Sequence, residues 1–161
     1  MAAYSDRKLK SLAASLQALM HEQIPLTRVT GFRICAATLH GMETAMPFQP
    51  VNRNDKNTAF AGSISALANV TGWALLSLLT MHAHGVRPTV AIYDNRTRFR
   101  RPIAADLRAQ ASIGEKEKIA MMEALARTGH AKVQVTVNVT GCDSEDVAVC
   151  MDGHYVVRLP R

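Results

Sequence analysis

The sequence predicts an α+β fold in which an antiparallel sheet wraps around one long central helix, and three observations carry that prediction. Thr58 to Met81 contains no charged residue; it is too long for one strand and has no fully polar face, the pattern of a helix enclosed on most sides. Val133, Val135, Val137 and Val139 alternate with Gln134, Thr136 and Asn138, the period of a half-buried strand. Strand-like segments also lie on both sides of the uncharged run in sequence, and they supply the sheet that would enclose it.

Ser5 to Met20 places Leu9, Leu12, Ala13, Leu16, Leu19 and Met20 at helical spacing, with Ser5 and Asp6 as caps and Pro25 closing the segment. Arg28 to Leu39 reads as a strand, because Val29, Thr30, Phe32 and Ile34 are β-branched or aromatic. Gly41 to Pro50, with two prolines, reads as a loop or short irregular strand. The long helix ends near His84-Gly85, with Pro88 just beyond. Thr89 to Pro102 and Asp106 to Ile113 follow as two strands expected to pair with each other. Glu115 to Thr128 reads as a helix with acids in its first turn and Gly129 as its stop. After the valine strand, Gly141 to Asp146 turns the chain and Val147 to Leu159 returns, with Asp152-Gly153 expected to interrupt it as a hairpin or bulge. Antiparallel strands curling around one enclosed helix are the hotdog architecture. The expectation is one domain over 1–161, with the helix of 1–27 packed on the outside of a 28–161 core.

The chain has 161 residues and is 48% hydrophobic and 20% charged, the composition of one ordinary globular domain. Its net charge of +6 favours an anionic partner without choosing among nucleic acid, a phosphorylated cofactor and an acidic carrier protein. Cys35, Cys142 and Cys150 are too few for a disulfide framework and, with an N-terminus unlike a signal peptide, point to the cytoplasm. The uncharged run is long enough to cross a bilayer, but Ser63, Ser65, Asn69, Thr71, Ser77 and Thr80 are spread through it, so no membrane insertion is expected. The six histidines have no ligand spacing supported by cysteines or acids, so no metal site is expected.

The stretch with the most chemistry is Asn52 to Ser63, where a polar loop delivers the backbone into a helix that begins with small residues. Such a junction leaves backbone N–H groups free, with the positive end of the helix dipole behind them, so it can hold an anion or polarise a carbonyl. Asp55 is the only carboxylate between Glu43 and Asp94.

Asn52, Asn54, Thr58, Phe60, Gly62, Ser63, Gly72 and Trp73 fit in register a pattern of approximately Asn-x-Asn-His-x-Gly-Thr-x-Phe-Gly-Gly-Ser followed by an apolar helix with a Gly-Trp pair. In this the chain resembles the thioesterase domain of the YiiD C-terminal type, a hotdog family. Phe99-Arg100-Arg101-Pro102 followed by Asp106-Leu107-Arg108-Ala109 is similar to a strand end common among acyl-CoA thioesterases. The chain departs from the pattern where Asp55 stands in place of His, Asn57 in place of Gly and Ala61 in place of the first Gly of the pair.

The resemblance implies hydrolysis of an acyl thioester of coenzyme A or acyl-carrier protein. Asp55 would be the carboxylate, and the N–H of Ala61 or Gly62 at the helix start the oxyanion donor. Asn69, nine positions after Phe60, falls where related families carry an acid, and as an amide it would orient water or the thioester oxygen. Asn52, Asn54, Asn57, Thr58, Phe60 and Ser63 would line the substrate, with Arg98, Arg100 and Arg101 on the phosphates of coenzyme A or phosphopantetheine. No other cofactor is expected. The resemblance also implies a homodimer or dimer of dimers with the site at the subunit boundary. The residues leave open a non-catalytic acyl or coenzyme A binder and a dehydratase-like hotdog enzyme. The same arginines would serve a nucleic-acid-binding module, but only Phe99 is interleaved with them and no recognition motif surrounds them.

Overall fold

In the computed structural model, which describes residues 2–160 with side-chain surroundings from Arg7 onward, one helix, α3 (Ala61–His84), is the axis of the molecule. Before it come α1 (Ala2–Gln23), α2 (Pro25–Val29), β1 (Arg33–Ala37), β2 (Gly41–Met46) and a short 3-10 turn, Pro50–Asn52. After it come β3 (Thr89–Phe99), β4 (Leu107–Ser112), α4 (Glu115–Thr128), β5 (His130–Gly141) and β6 (Val149–Arg158). The six strands form one antiparallel sheet in the order β1-β2-β4-β5-β6-β3. This is the hotdog fold, with α3 as the enclosed helix.

Alternation decides which side of the sheet meets the helix. Val135, Val137 and Val139 on β5 and Val149, Met151, Tyr155 and Val157 on β6 are fully buried in the core with Leu67, Leu75, Leu76 and Leu78 of α3. The intervening Gln134, Thr136, Asn138, Asp152 and His154 take the opposite face. Two of the buried polar residues inside the helix bond locally: Thr71 and Thr80 hydroxyls donate to the carbonyls of Leu67 (2.6 Å) and Leu76 (2.8 Å). An 18-residue window of α3 has a mean hydropathy of 1.5, enough by composition to cross a bilayer, yet 67% of that window is buried within the fold.

Three expectations need correction. Pro25–Val29 is helical, not the start of a strand, because Pro25 sits at the first position and the hydroxyls of Thr27 and Thr30 bond back to Ile24 O and Leu26 O (both 2.8 Å). Of the two readings of Gly41 to Pro50, the strand holds for Gly41–Met46, which lies between β1 and β4 with a register shift against β1. β3 and β4 do not pair: β3 bonds to β6 at one edge, and β4 lies between β2 and β5. Asp152-Gly153 does not interrupt β6; a Cβ on Gly153 would stand 2.8 Å from the Tyr155 ring and 3.0 Å from Met151 Cε, so the glycine makes room for side chains. The irregularity falls on the facing strand, between Ile92 and Asp94.

The N-terminal helix begins at Ala2, so Ser5 and Asp6 lie within it. Leu9, Leu16 and Met20 are buried in the common core, and Gln17 Oε1 accepts a hydrogen bond from Ile34 N of edge strand β1 (2.6 Å). Gly85 and Gly129 end α3 and α4 with φ of 68° and 70°, the left-handed conformation that glycine adopts without strain.

Candidate active site at the entrance of the central helix

The loop ahead of α3 is built by its own polar side chains. Asn52 is fully buried and joins three segments: its Nδ2 donates to Thr30 O and Pro47 O (both 2.8 Å), and its carbonyl accepts from Phe60 N (2.8 Å). Arg53 and Ala59 bridge to close a small hairpin. Within it, Asn54 Oδ1 accepts from Lys56 N (3.0 Å) and Thr58 N (3.1 Å), while its Nδ2 donates to Thr58 Oγ1 (2.9 Å). Asn57 has φ 56°, a conformation that asparagine tolerates better than most residues. Asn52, Asn54, Asn57 and Thr58 thus hold the loop in shape within the protomer.

That scaffold presents an uncapped helix end. Phe60 is the N-cap in extended conformation (φ −67°, ψ 131°) and supplies no side-chain bond, and the first turn carries no acid. The first helical bond runs from Ile64 N to Phe60 O (3.0 Å). Among the described residues, the amides of Ala61, Gly62 and Ser63 find no acceptor. Ala61 and Gly62 are exposed and Ser63 is buried. The Phe60 ring folds back along the first turn: a Cβ on Gly62 would stand 2.3 Å from Phe60 Cε1, so this packing uses the missing side chain. From below, Ala59 N donates to Ile103 O (2.7 Å), which brings the chain after β3 to the same entrance.

Asp55 sits at the tip of the hairpin with 79% of its side chain exposed, and Lys56 Nζ lies 3.2 Å from both of its oxygens. Within this protomer it is a turn residue paired with its neighbour. Asn69 does lie on the same open stripe of α3 as Ala61, Gly62, Ser65 and Ala66, since these recur at helical spacing and none is buried. Its Oδ1 is enclosed without a partner, and its backbone carbonyl accepts from Tyr155 Oη (2.9 Å). Burial pushes the Tyr155 phenol far above its ordinary pKa, so it is a fixed donor.

The arginines divide. Arg98 and Arg101 are paired with Asp152 (3.3 Å) and Asp146 (2.8 Å) in exposed ion pairs. Arg100 is exposed without an acidic partner among the described residues. Sequence reasoning missed two residues that shape the entrance, Ile103 through its carbonyl and Tyr155 through its hydroxyl. A signal for the second was present in Gly72, whose Cβ would stand 2.3 Å from Tyr155 Oη.

Clefts of about 350 Å³ between α1 and β1 and about 300 Å³ between Leu79, His82 and Met122 lie away from this entrance. In a single protomer the entrance is an open surface bounded by α3 and by Asn95, Thr97 and Phe99, which face the helix side of β3 and are not buried.

The family described as "Putative thioesterase (yiiD_Cterm)" matches residues 13–159. Among solved structures, the chain is similar to one described as a putative thioesterase from Shewanella oneidensis, with a TM-score of 0.81 and 23% identity over 94% of this chain and 99% of that one. It is also similar to a protein of unknown function from Chlorobaculum tepidum, with a TM-score of 0.84 and 18% identity over 94% and 96%. A third, from Pseudomonas aeruginosa and described as a "Probable Thioesterase", gives a TM-score of 0.75 and 21% identity over 91% and 95%. At these identities the structural likeness establishes the fold.

Proposed function

The chain belongs to the thioesterase family of the YiiD C-terminal type, and from that premise we propose that it hydrolyses an acyl thioester carried on coenzyme A or on an acyl-carrier protein. The observation that carries the reading is the uncapped start of α3, where the exposed amides of Ala61 and Gly62 lack acceptors on the open stripe that carries Asn69 about two turns further along. A thioester carbonyl oxygen placed there accepts from Ala61 or Gly62 N–H, and the same donor holds the oxyanion as water adds to the carbon. Collapse of the tetrahedral intermediate breaks the C–S bond and releases the acid and the thiol. Asn69 orients the water or the oxygen, and Phe60 covers the first turn.

The missing wall and base are assigned to a second copy. The unpaired edge of β3 and the small-residue stripe of α3 form a continuous uncovered surface suited to a homodimer, with the site at its boundary. In that arrangement Asp55 serves from the hairpin tip of one protomer at the helix entrance of the other, where a positioned base contributes roughly 10²–10⁴-fold. The three free thiols fit a reducing cytoplasm.

The test is a panel of acyl-coenzyme A and acyl-carrier substrates with thiol release as the signal, run on the wild type and Asp55→Asn. Turnover lost on substitution supports the carboxylate role; turnover retained moves the base elsewhere. The exposure of Asp55 favours one competing reading, a non-catalytic acyl binder. Tight acyl-coenzyme A binding with no thiol release at any chain length would establish that reading.

A further inference from the structure

Among the described residues, three side-chain hydrogen bonds tie the sheet to α3, and all three fall on the turn 69–73. Tyr155 Oη of β6 donates to Asn69 O (2.9 Å), Thr44 Oγ1 of β2 lies 2.6 Å from Thr71 Oγ1, and Trp73 Nε1 donates to Val90 O of β3 (3.0 Å). Elsewhere α3 meets the sheet mainly through apolar side chains, an attraction without direction. The pinned turn is the one that carries Asn69.

Of the three bonds, only the one from Tyr155 ends on Asn69 itself. Room for it is made on both elements. A Cβ on Gly72 would overlap the phenol oxygen and Cζ, and a Cβ on Gly153 would stand 2.8 Å from the ring. Glycine weakens the interior of a helix and of a strand alike. A contact that only filled the core would be more stable with alanine at both positions and a smaller apolar side chain between them. What two glycines and a fully buried phenol secure is a hydroxyl on one carbonyl. Burial raises the phenol above its ordinary pKa, so near neutral pH it stays a donor. The Asn69 side chain has no such hold at its own oxygen, since Oδ1 is enclosed without a partner. Its direction follows from its backbone, and Tyr155 holds that backbone at the carbonyl.

We infer that Tyr155 is a positioning residue for the hydrolysis, holding Asn69 at the height on α3 where its amide meets the thioester oxygen or the attacking water. This role rests on the hydrolase reading and deepens it by naming the buried group that sets the reach of Asn69. A reacting constellation has to be held within about 0.5 Å, and a hydrogen bond behind the working side chain keeps that tolerance. Tyr155 touches no substrate in this role and moves no proton. Because it acts through Asn69, its contribution is bounded by that of Asn69.

The experiment is a double-mutant cycle on the acyl-coenzyme A or acyl-carrier substrate that the wild type cleaves fastest, read by thiol release. It uses the wild type, Tyr155→Phe, Asn69→Ala and the pair, each rate corrected to folded protein by denaturant unfolding. Tyr155→Phe is expected to lower kcat by about two- to tenfold, with KM within about twofold. Added to Asn69→Ala, it should lower kcat by less than about 1.5-fold more. Thr44→Val removes a bond to the same turn without touching Asn69, and Thr71 keeps its bond to Leu67 O. That variant should lose stability and keep kcat within about 1.5-fold. Gly72→Ala displaces the hydroxyl and keeps the phenol; it should repeat the kcat loss, and it decides the matter if Tyr155→Phe folds poorly. Losses that multiply in the pair, an unchanged kcat in Tyr155→Phe, or an equal loss in Thr44→Val overturn the positioning role, while wild-type turnover keeps the hydrolase reading in place. An alkaline limb of the kcat profile that disappears with the hydroxyl overturns it too, by making Tyr155 a proton donor. A wild type that releases thiol from neither class of substrate removes the hydrolase reading and the positioning role together.

Discussion

The two halves of α3 are made under different rules. From Ala74 to Thr80 every residue is buried, and the helix closes at Gly85, whose amide donates to Met81 O (3.0 Å). From Ala61 to Trp73 a stripe of Ala61, Gly62, Ser65, Ala66, Asn69, Val70 and Trp73 stays unburied, and the first amides have neither cap nor acid. A helix whose only task was stability would place Ser, Thr, Asp or Asn at the N-cap, worth about 1 kcal/mol. The C-terminal half therefore supplies the rigidity, and the N-terminal half gives up stability to keep polar groups available.

If that division is right, substitutions in the two halves fail in different ways. Leu76→Ala, in the enclosed half at 0% exposure, is expected to cost about 2–5 kcal/mol by leaving a cavity among close-packed side chains. Denaturant unfolding measures it, and activity per folded molecule should stay near the wild-type value. Ala61→Pro addresses the open half. Proline suits the first helical position, Phe60 before it is already extended, and the amide removed makes no helical bond. If the Ala61 amide is the oxyanion donor, kcat should drop by about 10²–10³-fold, near 3–4 kcal/mol, with little change in melting temperature. Undiminished turnover would transfer the role to Gly62.

Tyr155 joins the halves, its hydroxyl on Asn69 O and its ring against Gly72. Tyr155→Phe should cost about 1 kcal/mol for the lost hydrogen bond. It should also change the alkaline limb of stability. Burial raises this phenol above its unfolded value of 10.0, so the folded state holds its proton where the unfolded state releases it. Stability from this group is complete below pH 10 and declines as the pH rises through the interval above it. Melting curves between pH 9 and 11 should slope less in the variant, roughly in proportion to the one titration removed.

Much of this division was legible before any coordinates. The uncharged run, the valine alternation and the glycine stops each have a local cause, and a local cause is visible in a sequence. Strand neighbours have no such cause: β3 pairs with β6, across two strands and a helix, so adjacency in the chain misled. The asparagines of the loop were recognisable as a group, but only coordinates separate a residue that binds from one that holds the loop in shape. Asn52, at 0% exposure with its amide shared between Thr30 and Pro47, proved to hold it. The placement of Asp55 was invisible for a different reason, since the closure of the hairpin decides whether a carboxylate at its tip faces a helix or water.

Asn69 gives the smallest effect and the sharpest separation of the two halves. Its Oδ1 is enclosed without a hydrogen-bond partner, an arrangement that costs stability and that a purely structural position would lose in exchange for Ala. Alanine is also the better helix former, by roughly half a kcal/mol. Asn69→Ala is therefore expected to leave melting temperature unchanged or slightly raised, while turnover falls by about two- to tenfold, the worth of one ordinary hydrogen bond to substrate or water. Leu76→Ala predicts the reverse pairing, with stability lost and activity per folded molecule kept. If Asn69→Ala instead destabilises the protein and leaves turnover intact, the unpaired oxygen has a structural partner in the assembled protein, and the open stripe is an interface without a role in the chemistry.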